Sequence, residues 1–286
     1  MHPVRVGGRA RGGSELPEVP QQHARGPRLS VITDTHSHLF WKSFDADRAA
    51  VLSRAREAGV QRMIVVGTDL HTSVAASELC AEDPDLFATA GVHPHDAGNA
   101  SPEILEEIEA LCRRETCVAV GETGLDYFKE YSPREDQLRA FRWHLELARQ
   151  LAKPVIVHSR EAHRDTAELL AEAPGVTGVM HCYTMGPAQL APYLEMDLYI
   201  SFSGVVTYPR NDTNREAARA VPADRLLVET DCPFLAPHRR RGERNEPALV
   251  ADVLECVATV RGERPDELAR ATSRNAARLF GLPPVP

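Results

Sequence analysis

Eight short runs rich in β-branched residues recur along the chain, separated by longer stretches with helical periodicity, and this alternation constrains the fold more than any other feature. The runs begin at Val31, Arg62, Leu86, Cys117, Pro154, Val176, Leu198 and Arg225. Strands that alternate with helices pair in parallel, because a parallel connection must return the length of the sheet and a helix does so compactly. Helices are predicted over 45–58, 101–114, 132–151 and 160–173, several opened by an Asp or Ser cap followed by acidic residues. A last helix is predicted from Asp266 to Phe280, ended by Gly281 and a proline-rich tail. Eight such units without a second apolar block predict an α/β fold, a closed (β/α)8 TIM barrel in a single domain, the alternative being an open doubly wound sheet. The 286 residues suffice, since such a barrel takes about 250.

The first 28 residues are dense in Gly, Pro and Arg and nearly free of large apolar side chains. They cannot bury enough surface to offset the entropy of ordering, so a disordered tail over 1–28 is expected, with the barrel domain over 29–286. A net charge of −8 argues against a broad basic surface for nucleic acid and leaves room for a local basic mouth. Six cysteines without paired short spacing read as reduced thiols. No apolar run approaches the roughly 20 residues of a membrane span, and the N-terminus lacks an apolar leader. A soluble, cytoplasmic protein with no membrane partner is expected, as a monomer or an oligomer of unknown size.

The side chains that carry chemistry stand where the runs end, and a β/α barrel gathers those ends on one rim. Asp34, His36 and His38 share parity on the first strand, which points all three toward the barrel interior and its mouth. Two histidines at i and i+2 can bind one metal ion, with Asp34 one layer deeper as an acceptor for an imidazole N–H. Glu122 would be a bare carboxylate in an apolar run unless it bridges two cations, spaced at the roughly 3.5–4 Å of binuclear hydrolases. His158 and His181 end consecutive strands and complete the second cation's shell. Asp231, before a proline that turns the loop over the rim, is placed to ligate the first cation, orient the attacking water and act as general base, then acid. Glu229 lies one layer below as a support residue. Two divalent cations per subunit (Mg, Mn or Zn) are therefore expected, with catalysis by Asp231 and Glu122.

These residues lie in seven ordered motifs: Asp-Thr-His-Ser-His from Asp34, Gly-Val-His-Pro-His from Gly91, Gly-Glu-Thr-Gly-Leu-Asp from Gly121, His-Ser-Arg from His158, His-Cys-Tyr from His181, Glu-Thr-Asp-Cys-Pro-Phe from Glu229 and Arg-Asn-Glu-Pro from Arg244. Together, from about Val31 to Phe280, they resemble the TatD family of metal-dependent hydrolases. The resemblance implies a barrel of the amidohydrolase superfamily, a binuclear centre and deoxyribonuclease activity, exonuclease-like and directed at single-stranded DNA. It also implies that His36, His38, Glu122 and Asp231 hold one metal while Glu122, His158 and His181 hold the other. The extra N-terminal tail is the visible departure.

A phosphodiester needs further donors at the rim. The candidates are His93, His95, Arg160, and the basic loop from His238 to Asn245 that includes Arg240, Arg244 and Asn245. Phe40, Trp41, Tyr127, Phe128, Tyr131, Tyr183 and Phe234 fall near strand ends and could stack on bases. The favoured reading is a metal-dependent deoxyribonuclease of 3′-5′ exonuclease type, with single-stranded DNA or another phosphodiester at a local basic rim. The same metals and base would also serve a small-molecule amide or ester hydrolase, and a non-catalytic metal-binding protein is the third reading.

Overall fold

A computed structural model describes residues 31–284, so the tail expected over 1–28 lies outside the described residues. Eight parallel strands form one sheet: β1 (Ile32–Ser37), β2 (Val60–Val66), β3 (Leu86–Ala90), β4 (Cys117–Asp126), β5 (Val155–Arg160), β6 (Gly178–Met180), β7 (Tyr199–Phe202) and β8 (Leu226–Val228). The connections and the C-terminal end carry α1 (Arg48–Glu57), α2 (Leu70–Ala81), α3 (Pro102–Cys112), α4 (Arg134–Leu151), α5 (His163–Ala171), α6 (Ala191–Glu195), α7 (Asp212–Ala220), α8 (Val250–Arg261) and α9 (Pro265–Phe280). The strands neighbour one another in unbroken chain order. A doubly wound sheet would reverse its order at a switch point, so the barrel alternative holds.

Strand residues divide by parity. Ile64, Val66, Ala119, Ile156, Val179, Tyr199 and Leu227 form an inner core with Leu279, Phe280 and Leu282 at the end of α9. Met63, Val65, Val155, Val157, Met180, Ile200 and Val228 pack outward with the helices. Ser273 of α9 donates to Val31 O, and Asn275 donates to Ala223 O and Leu226 O, which seats α9 across the amino ends of β1 and β8. The carboxyl ends are thereby left as the rim open to chemistry. No helix among the described residues is long and apolar enough to cross a membrane, and all six cysteines are free.

Side chains help close the barrel between β8 and β1. The backbones meet in an isolated parallel bridge, Ser37 opposite Cys232. Asp231 N–H donates to His36 O at 2.9 Å and His38 N–H to Cys232 O at 2.8 Å. Below them, Asp34 Oδ1 accepts the Thr230 amide at 2.9 Å, Asp34 Oδ2 accepts the Thr230 hydroxyl at 2.6 Å, and Thr35 Oγ1 donates to Val228 O at 3.0 Å. This corrects the role expected for Asp34, whose carboxylate binds the seam and not an imidazole. The reason is a register shift in β1 between Asp34 and Ser37, which breaks the alternation that shared parity assumes.

Two boundaries also differ in ways that matter. β8 ends at Val228, so Glu229 to Asp231 lie beyond the ladder, and Asp231 adopts a left-handed backbone (φ 58°) that an Asp tolerates better than most residues. Arg160 ends β5 and does not open α5, because it pairs with Asp126 of the long strand β4. Close β4–β5 packing also requires Gly124, at φ 137°, where a Cβ would strike the His158 carbonyl.

Buried His144 of α4 fixes the loop after β3. Its Nε2 accepts the Val92 amide at 3.0 Å and its Nδ1 donates to Ala140 O at 2.7 Å, so the ring is neutral. Burial lowers its pKa to about 4, against the opposing pull of the Ala140 carbonyl. The unfolded chain, titrating near 6.5, takes up the proton first, so this contribution is complete above pH 6.5 and fades as the pH falls through 4. Relative to His144→Gln, wild type should lose about 3 kcal/mol between those pH values, as read from urea midpoints across the range.

Candidate active site

The strands β1, β4 and β5 and the segments just after β1, β6 and β8 bring six side chains, His36, His38, Glu122, His158, His181 and Asp231, to one point at the rim. Glu122, 3 % exposed, is the centre. Its Oε1 lies 2.9 Å from His181 Nε2, 3.1 Å from His158 Nδ1 and 3.5 Å from His93 Nε2, while its Oε2 lies 3.3 Å from His36 Nε2. Asp231 Oδ1 faces His38 Nε2 at 3.2 Å and His36 Nε2 at 3.7 Å. The His36 and His181 rings stack at 3.9 Å. The ligand-capable atoms fall into three groups, each within 4.8 Å: His36, His38 and Asp231; His36, Glu122 and His181; and His93, Glu122 and His158.

Behind the inward nitrogens stand acceptors that fix the rings. His38 Nδ1 donates to Val66 O at 2.8 Å, and His181 Nδ1 to Glu229 Oε1 at 3.1 Å. Glu229 Oε1 also accepts the Cys182 amide at 2.7 Å. His158 is turned the other way, with Nε2 on Asp126 Oδ2 at 3.3 Å and Nδ1 inward. Each outer bond takes the ring proton and leaves the inner nitrogen a lone pair for a cation. His36 is the sharpest case, since both ring nitrogens are buried without a hydrogen-bond partner. A buried lone pair aimed between two carboxylates is costly in a protein alone and fits a metal ligand.

His93 differs. Its Nδ1 accepts the His95 amide at 3.1 Å, so the neutral ring carries its proton on Nε2. That nitrogen offers a donor and not a lone pair, which argues against the third group as a metal site. His95 turns to Asp126 Oδ2 at 2.9 Å, and Asp126 thus supports two imidazoles while accepting the Phe128 and Lys129 amides. Asp126 is not among the site residues expected from the motifs. Its signal was present, for it closes the Gly-Glu-Thr-Gly-Leu-Asp motif four residues after Glu122.

The charges are mutually set. Burial would raise the pKa of Glu122, but His181, His93 and His36 outweigh it and hold the carboxylate well below its usual range. Burial likewise opposes ionisation of Asp231, and the His38 bond and the surrounding imidazoles overcome it. Burial disfavours charge on His38, His158 and His181, yet the carboxylates beside them raise all three. His36 and His93 go down, chiefly through burial. Asp34, at the seam, is pushed up to about 7 by burial against the Thr230 and His36 bonds.

The basic loop does not converge on this point. Arg244 forms a two-pronged pair with Asp47 at 2.8 and 2.7 Å, bonds Ser43 O and lies over the Phe44 ring. Buried Asn245 donates to Thr230 O at 2.8 Å and Phe234 O at 2.5 Å, bracing the segment that carries Asp231. Arg240 is exposed beside Glu243, and its neighbours His238 and Arg239 line a cavity with Asp252 and Glu255 of α8. Arg244 is engaged by Asp47, far away in the chain, Asn245 is buried, and Arg240 lies exposed beside Glu243 three residues on, so Arg244 and Asn245 are corrected from substrate contacts to local structure. Arg160 remains at the rim, exposed, its guanidinium 3.8 Å over the Phe128 ring.

Known proteins resemble this chain over nearly all of its described length. The family profile described as TatD related DNase matches residues 33–281. An uncharacterized metal-dependent hydrolase of Bacillus subtilis, YabD, is 41 % identical over 255 residues, covering 88 % of this chain and all of that protein. A 3′-5′ ssDNA/RNA exonuclease TatD from a Rahnella strain is 40 % identical over 255 residues, covering 86 % of this chain and 96 % of the relative. The crystal structure of YJJV, a TatD homolog from Escherichia coli, superposes with a TM-score of 0.84 at 32 % identity, covering 88 % of this chain and 98 % of that one.

Removing the support behind a ligand tests the site without touching a ligand. Asp126→Ala, which removes the support behind His158, should weaken divalent-cation binding at the cluster about 10- to 100-fold in calorimetry with Mn or Zn, with the folded far-UV spectrum retained. Cation uptake should also release protons and weaken as the pH falls, because the carboxylates hold His38, His158 and His181 toward their protonated forms. Proton release can be counted by calorimetry in buffers of different ionisation enthalpy.

Proposed function

The chain belongs to the family of TatD-related DNases, and from that membership we propose that this metal-dependent hydrolase removes nucleotides from the 3′ end of single-stranded DNA or RNA, using two divalent cations, Mg, Mn or Zn. The observation that carries the reading is Glu122, a buried carboxylate whose two oxygens face different imidazoles. His36, His38 and Asp231 with Glu122 Oε2 would hold one cation. Glu122 Oε1, His158 through Nδ1 and His181 through Nε2 would hold the other. Cations bound there neutralise the phosphate oxygens and draw the pKa of an attacking water toward neutrality.

The rest belongs to the protein's own side chains. Asp231 has a side chain 14 % exposed, against 4 % for Glu122, so it is the carboxylate of the cluster that meets solvent. It takes the proton of the attacking water and returns it to the leaving oxygen, a role its depressed pKa allows because it stays ionised at neutral pH. His93 Nε2–H, with its side chain 11 % exposed, donates to a non-bridging phosphate oxygen. Glu229 and Asp126 keep His181 and His158 from rotating, and Asn245 keeps the Asp231 segment against the seam. Exposed aromatic rings at the rim favour a polymer with bases over a small amide or ester.

The test uses end-labelled single-stranded DNA and protein stripped of metal, then refilled separately with Mg, Mn or Zn. Wild type should shorten the strand stepwise from its 3′ end. Asp231→Asn should keep most of its metal while turnover drops about 100-fold or more, whereas Glu122→Ala should lose a cation outright by elemental analysis. Equal metal loss in both variants would overturn this division of roles, and intact DNA with every metal would overturn the nuclease reading.

A further inference from the structure

The large apolar side chains exposed among the described residues are Trp41, Phe128, Tyr131 and Phe234, at 43, 50, 67 and 46 %. Scattered exposed rings need no explanation, but these all lie on loops leaving the same rim, after β1, β4 and β8. They form two patches. Trp41 and Phe234 meet edge to face at 5.4 Å, and Phe234 lies 6.1 Å from the His38 ring. On the other side, Arg160 lies 3.8 Å over Phe128, Lys129 Nζ is 5.6 Å from Phe128 and 5.8 Å from Tyr131, and Tyr131 is 4.8 Å from the His95 ring. The first patch thus adjoins the His38 and Asp231 end of the cluster, and the second adjoins the His158 and Asp126 end.

Resting on the nuclease reading, we propose that the two patches are stacking walls that each take one unpaired base, on opposite sides of the phosphate held at the cluster, and so determine the enzyme's preference for single strands. A base within a duplex has both faces covered and its edge paired, so only a splayed nucleotide can add to these rings. Stacking is indifferent to base identity, which suits an enzyme that must cut at every position. The cations sit where a strand needs them. Arg160 continues the Phe128 stack as a planar layer, and Lys129 lies beside it, so that wall offers positive charge to the backbone next to the scissile group. In a chain of net charge −8, these are local donors and not part of a general basic surface.

The experiment compares kcat/KM of the metal-loaded enzyme on a single strand with all its bases and on strands made abasic at the terminal or the penultimate nucleotide. Phe128→Ala should lower kcat/KM on the intact strand about five- to hundredfold, the range expected for one lost stack, with Phe128→Trp recovering most of it and metal content unchanged. On the strand abasic at the matching nucleotide, wild type and Phe128→Ala should be equal. Phe234→Ala should behave in the same way at the neighbouring nucleotide. A wild type that cuts while Phe128→Ala cuts equally well, or loses as much on abasic as on intact strands, overturns the stacking walls alone. A wild type that leaves every strand intact overturns the nuclease reading and this proposal with it.

Discussion

Glu122 is a negative charge set where water barely reaches, and the site is organised around it. Burying a carboxylate costs several kcal/mol unless partners replace its hydration. Here His36, His93, His158 and His181 stand within 3.5 Å. Those rings need partners in turn, and Asp126 and Glu229 supply them from behind. For His158 and His181 the result is an alternation of charge, outer carboxylate, imidazole, inner carboxylate, in which the orientation of each of the two rings follows from its outer bond. His158 presents Nδ1 and His181 presents Nε2 because Asp126 and Glu229 stand at different places relative to the two strands.

Such a network is poorly suited to a protein alone. His36 and His181 stack at 3.9 Å, and His181 makes protonation of His36 harder. Both ring nitrogens of His36 lack a partner. A site built to bind cations concentrates unmet polar groups, and the scaffold must tolerate that strain on stability. The tolerance comes from the other end of the barrel, where the inner core is apolar and α9 covers the amino ends of β1 and β8. Between the two, the Asp34 carboxylate fastens Thr230 to β1 and holds Asp231 across from His36 and His38.

The rim illustrates how charge in a sequence misleads. The run from His238 to Arg244 is the most basic part of the folded body, yet Asp47, Glu243, Asp252 and Glu255 engage or surround it. Arg160 does reach the rim, because the register of β5 against β4 carries it past His158. Aromatic rings left half exposed around the cluster say more about the substrate than the cationic run does. They retain apolar surface that folding did not cover.

Fold class was legible in the sequence because alternation of strand and helix is a local property, written in neighbouring residues and read without knowing who touches whom. The ligand-capable residues were legible for a related reason, as a barrel places every strand end on one rim, so His36, His38, Glu122, His158, His181 and Asp231 had one place to meet. What a given nitrogen faces was not legible. Asp34 bonds Thr230 across 196 positions of sequence and Glu229 meets His181 across 48, and neither distance nor direction is encoded in spacing. The register shift in β1 turned Asp34 to the seam, the pairing of β4 with β5 and the loop after β3 gave Asp126 its two imidazoles, and Asp47 drew off Arg244 from the basic loop. Sequence order determined which groups arrive at the rim, and only tertiary packing, acting between residues far apart in the chain, decided which of them face inward and which brace the others from behind.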